Sequence, residues 1–397
     1  MKVFIAGIDG YLGWSLALYL SSRGHDVSGC DNFARRRNVE KMGSLSVIPV
    51  PFEKRRKAFK QKYGKFDFYE IDLLHYVDLV NTIRQIKPDT IVHLAEQPSA
   101  PFSMDGVINA VYTQKNNVIG TLNLLYAMKK YCPEAHLLKL GTMGEYGTPP
   151  CDIPEGFFDE TATFRGKSLN GLPFPRQAAS WYHQSKVHDS NNIQFACKNW
   201  GIRSTDVMQG VVYGTRIEEM DDETLMTRFD IDEAFGTAIN RFCASAVIGE
   251  PITVYGAGHQ VRGFLPLKDS MQCLTIAVEN PPGKGEYRVF NQFEEIYDLT
   301  ELAKKVKATA KDFGLDVKIY NYQNPRLEME EHYYNPDHQK LLDLGYKPTH
   351  DMESELRQMF RDLIKFKSRI EKVKDVLVPS IQWDNTKRRS EPIGEVE

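Results

Sequence analysis

Tyr182 and Lys186 stand four residues apart in Ala178–His188, a stretch without glycine or proline whose pattern predicts a helix. Residues four apart share one helix face, so a phenol and an ammonium can meet at one site. A fixed cation beside a phenol favours the phenolate and draws its pKa down from about 10, giving a general acid and base usable near neutrality. The plainer reading is a packed tyrosine and a solvated lysine on an ordinary helix. The rest of the chain has to decide between them.

The chain opens on Lys2–Ala6, a short apolar run of β-formers. Gly7-Ile8-Asp9-Gly10-Tyr11-Leu12-Gly13 follows, then a helical pattern through Leu16, Ala17 and Leu20. A second strand, Val27–Cys30, ends in Asp31, eighteen residues beyond Gly13. Glycines let the backbone turn tightly and approach a pyrophosphate, and a helix N-terminus offers it amide donors and a favourable dipole. Asp31 can accept both ribose hydroxyls of an adenosine and would repel a 2′-phosphate, which selects NAD over NADP. A glycine triplet alone is weak; after a strand, with the acid on the next strand, it is strong.

Five further features sit where elements must position them. Asn32–Tyr63 reads as a polar, basic insertion over a cleft, and Arg35-Arg36-Arg37 within it as a solvated loop. Strand Phe66–Ile71 leads to Asp72 and Leu73, where the acid either accepts from an adenine amino group or caps the helix Val77–Ile86. Thr90–Ala95 leads into the rigid loop Glu96–Pro101. Val111–Lys130 reads as one long helix, and its Asn116-Asn117 pair, unfavourable by propensity, hints at a backbone or cofactor contact. Leu137–Leu140 places the Thr142 hydroxyl at the carboxyl edge of the sheet, where a substrate oxygen can meet it.

Strand Ser204–Val207 completes six strand-then-helix units, which predict an α/β fold: a doubly wound parallel (Rossmann) sheet over 1–208. The smaller C-terminal domain, 209–397, is expected to bind mainly substrate, with some segments returning to the first. Beyond Gln209–Gly214 the alternation breaks down. Ile217–Asp232 reads as an acidic lid, Phe235–Ile248, Leu299–Phe313 and Glu353–Lys367 as helices, and Pro251–Gly256 as a strand. Arg262 and Arg326 would suit a diphosphate if they converged, although each alone reads as a solvated surface cation. The tail after Pro379 reads as loosely ordered.

Length and composition bound the alternatives. At 397 residues the chain can bury a large core, and its net charge of −3 leaves no footprint for nucleic acid or an acidic membrane. No apolar run approaches a membrane span, and the N-terminus reads as lacking a signal or transit peptide. Six scattered cysteines without zinc spacing point to a reduced, cytoplasmic protein with no metal.

The glycines, Asp31, Thr142 and Tyr182/Lys186 together resemble the extended short-chain dehydrogenase/reductases, which act on nucleotide sugars with tightly held NAD. The resemblance covers nearly the whole chain. It narrows to the UDP-sulfoquinovose synthase family of chloroplasts and photosynthetic bacteria in His93–Gln97, Tyr112–Val118, Leu140–Gly147, Tyr182–Ser190, Gln209–Gly214 and Asn324–Tyr334. The run Leu-Gly-Thr-Met-Gly-Glu-Tyr-Gly-Thr-Pro from Leu140 is the most specific. Ordinary 4,6-dehydratases carry Thr-Asp-Glu there, so their acid/base pair falls on Met143 and Gly144 of this chain, and epimerases carry a serine-rich version.

The resemblance implies UDP-glucose and sulfite as substrates and UDP-sulfoquinovose and water as products. It implies Tyr182 as acid/base for the sugar 4-hydroxyl, Lys186 as its partner and holder of the nicotinamide ribose, and Thr142 as the group orienting the 4-oxygen. The C5 base is either His183 or Glu145. Expected cofactor contacts are Gly7, Asp9, Gly10, Tyr11, Leu12, Gly13, Asp31, Asn32, Arg35, Asp72, Leu73, Asn116, Tyr182 and Lys186. Expected substrate contacts are Thr142, Gln209, Tyr255, Arg262 and Arg326, with Tyr255 at the uracil end.

Two departures matter. Pro98 stands where the plant enzymes carry Arg, so that cation must come from elsewhere, with Arg35 or Arg36 as candidates. Val211 replaces the Asn of the epimerase Asn-x-Tyr-Gly motif, a feature the plant synthases share. By analogy a homodimer through helices of the cofactor domain is expected, in the cytoplasm or, for a processed plastid form, the stroma. The alternatives are a UDP-glucose 4-epimerase, a 4,6-dehydratase, and a non-catalytic NAD-sensing regulator of the same fold.

Overall fold

A computed structural model describes residues 1–326, 333–384 and 386–396. Seven parallel strands form the main sheet: β1 (Lys2–Ala6), β2 (Asp26–Asp31), β3 (Asp67–Glu70), β4 (Thr90–His93), β5 (His136–Leu140), β6 (Arg203–Gln209) and β7 (Tyr287–Gln292). Their order is β7-β6-β5-β4-β1-β2-β3. The chain winds outward through β2 and β3, then crosses to β4 on the other side of β1. That reversal leaves a crevice at the carboxyl ends of β1 and β4, where ligands bind in open α/β sheets. The doubly wound sheet anticipated from the alternation is present, and Tyr287–Gln292 is the segment that returns to it.

The principal helices are α1 (Tyr11–Ser22), α2 (Ala34–Lys41), α3 (Phe52–Tyr63), α4 (Tyr76–Ile86), α5 (Gly106–Gln114), α6 (Gly120–Tyr131) and α7 (Trp181–Trp200). Farther on come α8 (Ala238–Ile248), α9 (Leu267–Glu279), α10 (Leu299–Lys311) and α11 (Met352–Leu363). On the far side from the sheet core, α8, α10 and α11 bury Phe242, Val306, Leu356 and Phe360 in a second apolar cluster. Two small three-stranded sheets flank it. No described helix is long and apolar enough to cross a membrane.

Four sequence expectations change. The insertion after Asp31 is helical: Phe52 and Phe59 of α3 pack edge-on or tilted against Trp14 of α1, so its apolar face belongs to the core. Between α5 and α6 the expected single helix widens into a π-turn over Lys115–Ile119, at the Asn116-Asn117 pair. Ile217–Asp232 is no lid, because Ile217, Met220, Leu225, Phe229 and Ile231 are buried and the Trp14 indole donates to the Leu225 carbonyl at 2.7 Å. The C-terminal tail is ordered, for Pro392–Glu395 pairs antiparallel with Ile319–Tyr322, and Trp383 is buried. Of the Asn324–Tyr334 segment, 327–332 lie outside the described residues.

Candidate active site

The ends of β1, β2, β4, β5 and β6 open into one cavity of about 700 Å³ that runs from the glycine turn to Arg262, Arg326 and Trp383. At one end the glycine turn has no room for side chains. A Cβ on Gly7 would meet the Leu94 backbone at 2.7 Å, and one on Gly13 the Gly7 carbonyl carbon at 2.9 Å. Gly10 caps α1 with no side-chain acceptor, so the first amides of the helix face the cavity with their donors unspent on a cap.

Asp31 lines the cavity and accepts the amides of Asp9 and Phe33 at 2.9 and 2.7 Å. Burial and the neighbouring Asp9 raise it to about 6. Each carboxylate oxygen keeps a lone pair for a ribose hydroxyl. A glycine cradle, an uncapped helix start and an acid on the next strand fit an NAD dinucleotide, held by Gly7, Gly10, Tyr11, Leu12, Gly13 and Asp31, all lining the cavity.

The remaining expected cofactor contacts divide. Asn32, Arg35, Asp72, Leu73 and Asn116 line the cavity. Asp72 caps no helix: one oxygen takes the Leu74 amide at 2.8 Å and the other the Asn32 amide group at 2.9 Å. Asp9 faces away, its carboxylate gripped by Arg36 at 2.6 and 2.7 Å and by the buried Arg55. Arg35 is held by Asp230 at 2.9 Å and stacks on Phe235. The arginine run is therefore no solvated loop, and Arg36 is not free to replace the cation missing at Pro98.

Tyr182 and His183 of α7 and Thr142 just after β5 converge on the cavity, and Ser180 caps α7 by accepting the His183 amide at 3.2 Å. Tyr182 is hydrogen-bonded to Thr142. Its phenol is raised, not lowered: burial comes first, then Glu145, against smaller lowering by Lys139 and Thr142. Lys186 does not offset this. Its ammonium lies 5.8 Å from the centre of the Tyr182 ring and is committed to Glu96 and, at 2.6 Å, to the Leu140 carbonyl. Burial lowers Lys186 itself to about 8. A buried carboxylate beside an ammonium cancels most of the field that a phenolate would feel, so the expected lowering of Tyr182 does not hold in this arrangement.

Glu145 is corrected as a candidate base. Its carboxylate is fully buried and bound by Lys139 at 3.0 Å, Arg176 at 2.5 Å and Ser190 at 3.0 Å. It lies outside the cavity lining, in a charged network with Asp206 that braces β5 and β6 against α7.

His183 has the opposite surroundings. Its Nδ1 meets the Ser180 hydroxyl at 3.0 Å, which leaves Nε2 directed at the backbone of Gly144. A Cβ on Gly144 would lie 2.6 Å from Cδ2 of His183 and closer still to Nε2. The imidazole thus fills the space where a side chain at 144 would begin. Burial, then Arg326 and Arg262, hold His183 at about 3, so the ring is neutral.

Gln209, Tyr255, Arg262 and Arg326 all line the cavity. The two arginines converge after all; both act on His183 through their charge. Gln209 is fixed by Gln292 at 2.8 Å.

With this geometry in place, comparison with known proteins decides the family. The model of the NAD dependent epimerase/dehydratase family matches residues 3–291. A UDP-sulfoquinovose synthase of Sulfolobus acidocaldarius is 47% identical over 385 residues, 96% of this chain and 98% of its own. The chloroplastic UDP-sulfoquinovose synthase of Spinacia oleracea is also 47% identical, over 96% of this chain and 79% of its own. The chain belongs to the NAD-dependent epimerase/dehydratase family and, within it, to the UDP-sulfoquinovose synthases. Solved structures agree on the fold. The Thermus thermophilus UDP-glucose 4-epimerase complex with NAD superposes with TM-score 0.65 at 20% identity, covering 91% of this chain and 99% of that one. The Bacillus cereus UDP-glucuronic acid 4-epimerase gives 0.67 at 22% identity, covering 92% and 99%.

Several residues of this family site escape a reading of the sequence. Glu96 was visible only as an acid at a strand's carboxyl end; that it reaches Lys186 is a tertiary fact. Asn117 clamps both backbone groups of Gln97, at 2.7 and 3.1 Å, and the Ser185 hydroxyl at 2.9 Å, tying the β4 loop to α7 through the π-turn. Arg241 is buried in the cavity wall beside Tyr255, with its Nε unpartnered. Trp383 reaches the site from the far end of the chain.

Proposed function

We infer that this chain converts UDP-glucose and sulfite into UDP-sulfoquinovose and water. The observation that carries the mechanism is the pairing of a side-chain-free Gly144 with a neutral His183 beside Thr142 and Tyr182. NAD, held by the glycine cradle and Asp31, would supply the hydride acceptor for the C4 hydrogen and the hydride donor for its return. Tyr182 must be ionised to accept the 4-hydroxyl proton, and the positive charge of an oxidised nicotinamide would favour that against the burial that raises the phenol, while Thr142 orients the 4-oxygen. The resulting ketone acidifies the C5 hydrogen, and Nε2 of His183 removes it. Met143 cannot donate a proton to the departing 6-hydroxyl, so the His183 imidazolium is the group that hands its proton on, releasing water. Bisulfite then gives its proton to the neutral His183 and bonds through sulfur to C6 as the C5–C6 π electrons move toward the 4-oxygen, and His183 passes that proton to C5. Arg262 and Arg326 suit the diphosphate, because the guanidinium fork matches its oxygens. Neutralising those cations with substrate would relax their depression of His183 and raise its basicity when it is needed.

The test is direct. Purified protein incubated with NAD, UDP-glucose and sulfite should yield a sugar nucleotide with the mass of UDP-sulfoquinovose. Formation of UDP-galactose or a 4-keto-6-deoxy sugar without sulfite, and no sulfonated product, would overturn the reading in favour of an epimerase or dehydratase.

We further propose that 1–208 acts chiefly on the cofactor and 209–397 on the sugar nucleotide, and that the enzyme works in the cytoplasm as a homodimer. Support for the dimer is the exposed apolar face of α5 and α7, where Val107, Ile108, Val111, Trp181 and Phe195 are more than half exposed. Val107, Val111 and Trp181 line one shallow groove between the two helices, and exposed apolar residues gathered in this way suit an interaction with a second copy of the same face.

A further inference from the structure

The C-terminal tail is fastened beside the active site at two points. Ser380 donates its amide and hydroxyl to the Glu233 carboxylate at 2.5 and 2.6 Å, and Ile381 donates its amide at 2.9 Å. The Trp383 amide donates to the Pro325 carbonyl at 2.8 Å. So fastened, the tail carries the Trp383 indole into the cavity wall, in a small cluster with Tyr182 and Ala100. The Arg326 guanidinium lies 5.5 Å from the indole centre. Trp383 is 6% exposed, and 197 residues separate it from Lys186 in sequence. Nothing in the second apolar cluster requires it. Its surroundings are the catalytic phenol and a diphosphate-directed cation.

We propose that Trp383 is a specificity-determining residue: it walls the sugar subsite and excludes water, so that the enone formed at C5–C6 meets sulfite. This rests on the function inferred above. The chemistry gives water a real opportunity. Sulfite forms a C6–S bond as the C5–C6 π electrons move toward the 4-oxygen, and C5 then takes a proton. Water can form a C6–O bond by the same electron movement, losing one proton as C5 gains another, which regenerates the 4-keto glucose and finally UDP-glucose. An indole is large, rigid and apolar, suited to keep such a nucleophile out. Two hydrogen-bonded anchors hold its segment, and the indole is buried against Tyr182 and Ala100, outside the three large apolar clusters.

The experiment runs the holoenzyme with NAD, UDP-glucose and sulfite in ¹⁸O-labelled water. It measures by mass the ratio of sulfonated product to UDP-glucose that has gained ¹⁸O. Trp383→Ala should lower that ratio about tenfold relative to the wild type, and Trp383→Phe should restore most of it. Glu233→Ala, which removes one of the two anchors without altering the indole itself, should lower it in the same direction by a smaller factor. A wild type that makes product while both alanine variants keep its ratio overturns the proposal, as does a Trp383→Ala variant that loses rate with no change in partition. A wild type that makes no sulfonated product fails the functional reading first. If Trp383→Ala does not fold, the Glu233→Ala ratio alone decides.

Discussion

Replacing Gly144 with alanine should separate the two halves of the reaction. Ordinary contact begins near 3.4 Å, and the new methyl would lie 2.6 Å from Cδ2 of His183, so the imidazole has to retreat by about 1 Å. Its freedom to do so is limited by the hydrogen bond from Nδ1 to Ser180 at 3.0 Å and by the helix that carries both. A misplacement of about 1 Å in a reacting group costs on the order of 10²-fold in rate, or about 2.7 kcal/mol in the barrier. The atoms nearest the methyl all belong to His183, so oxidation at C4 by Tyr182, Thr142 and Lys186 should survive. The assay follows NADH by absorbance in a single turnover, C5–H exchange in D₂O by mass, and sulfonated product by the same instrument. The expected result is NADH formation within a fewfold of wild type, with C5 exchange and sulfonation both down about a hundredfold. His183→Asn should give the same split. Undiminished C5 exchange in either variant would refute the assignment of His183 as the base.

Three further outcomes follow from the same geometry. Glu96→Gln strips the buried Lys186 of its carboxylate partner, which lowers the ammonium pKa further; the basic limb of the NADH-formation pH profile should move down by about one unit, and an unmoved limb would refute the pairing. His183 is held at about 3 against about 6.5 for a free histidine, so unfolding takes up a proton once pH falls below 6.5; that is worth about 2 kcal/mol at pH 5, and urea titrations of His183→Asn should show a correspondingly smaller loss of stability between pH 7 and 5. Buried His93 and His136, also near 3, add the same sign to the wild-type loss. Val107→Glu combined with Val111→Glu should convert a sedimenting dimer to monomer; an unchanged mass would place the interface elsewhere.

What the sequence determined by itself was whatever is local. Strand-helix alternation, the glycine turn, Asp31 on the second strand and the Tyr182/Lys186 spacing follow from short-range sterics and periodicity, and these alone announced a parallel sheet and a dinucleotide. The Leu140–Gly147 run marked the subfamily because it records which side chains are absent beside the sugar. Tertiary structure decided the electrostatics and the walls. Whether Lys186 lowers Tyr182 depends on Glu96, ninety residues away, and whether Glu145 can act as a base depends on Lys139, Arg176 and Ser190 surrounding it. Burial and charge are sums over neighbours that no sequence window contains. The basic insertion read as solvated because its partners, Asp9, Asp230 and Phe235, lie elsewhere in the chain. The tail read as loose because its anchors, Glu233 and Pro325, are equally remote; folding alone brings Trp383 to the catalytic tyrosine.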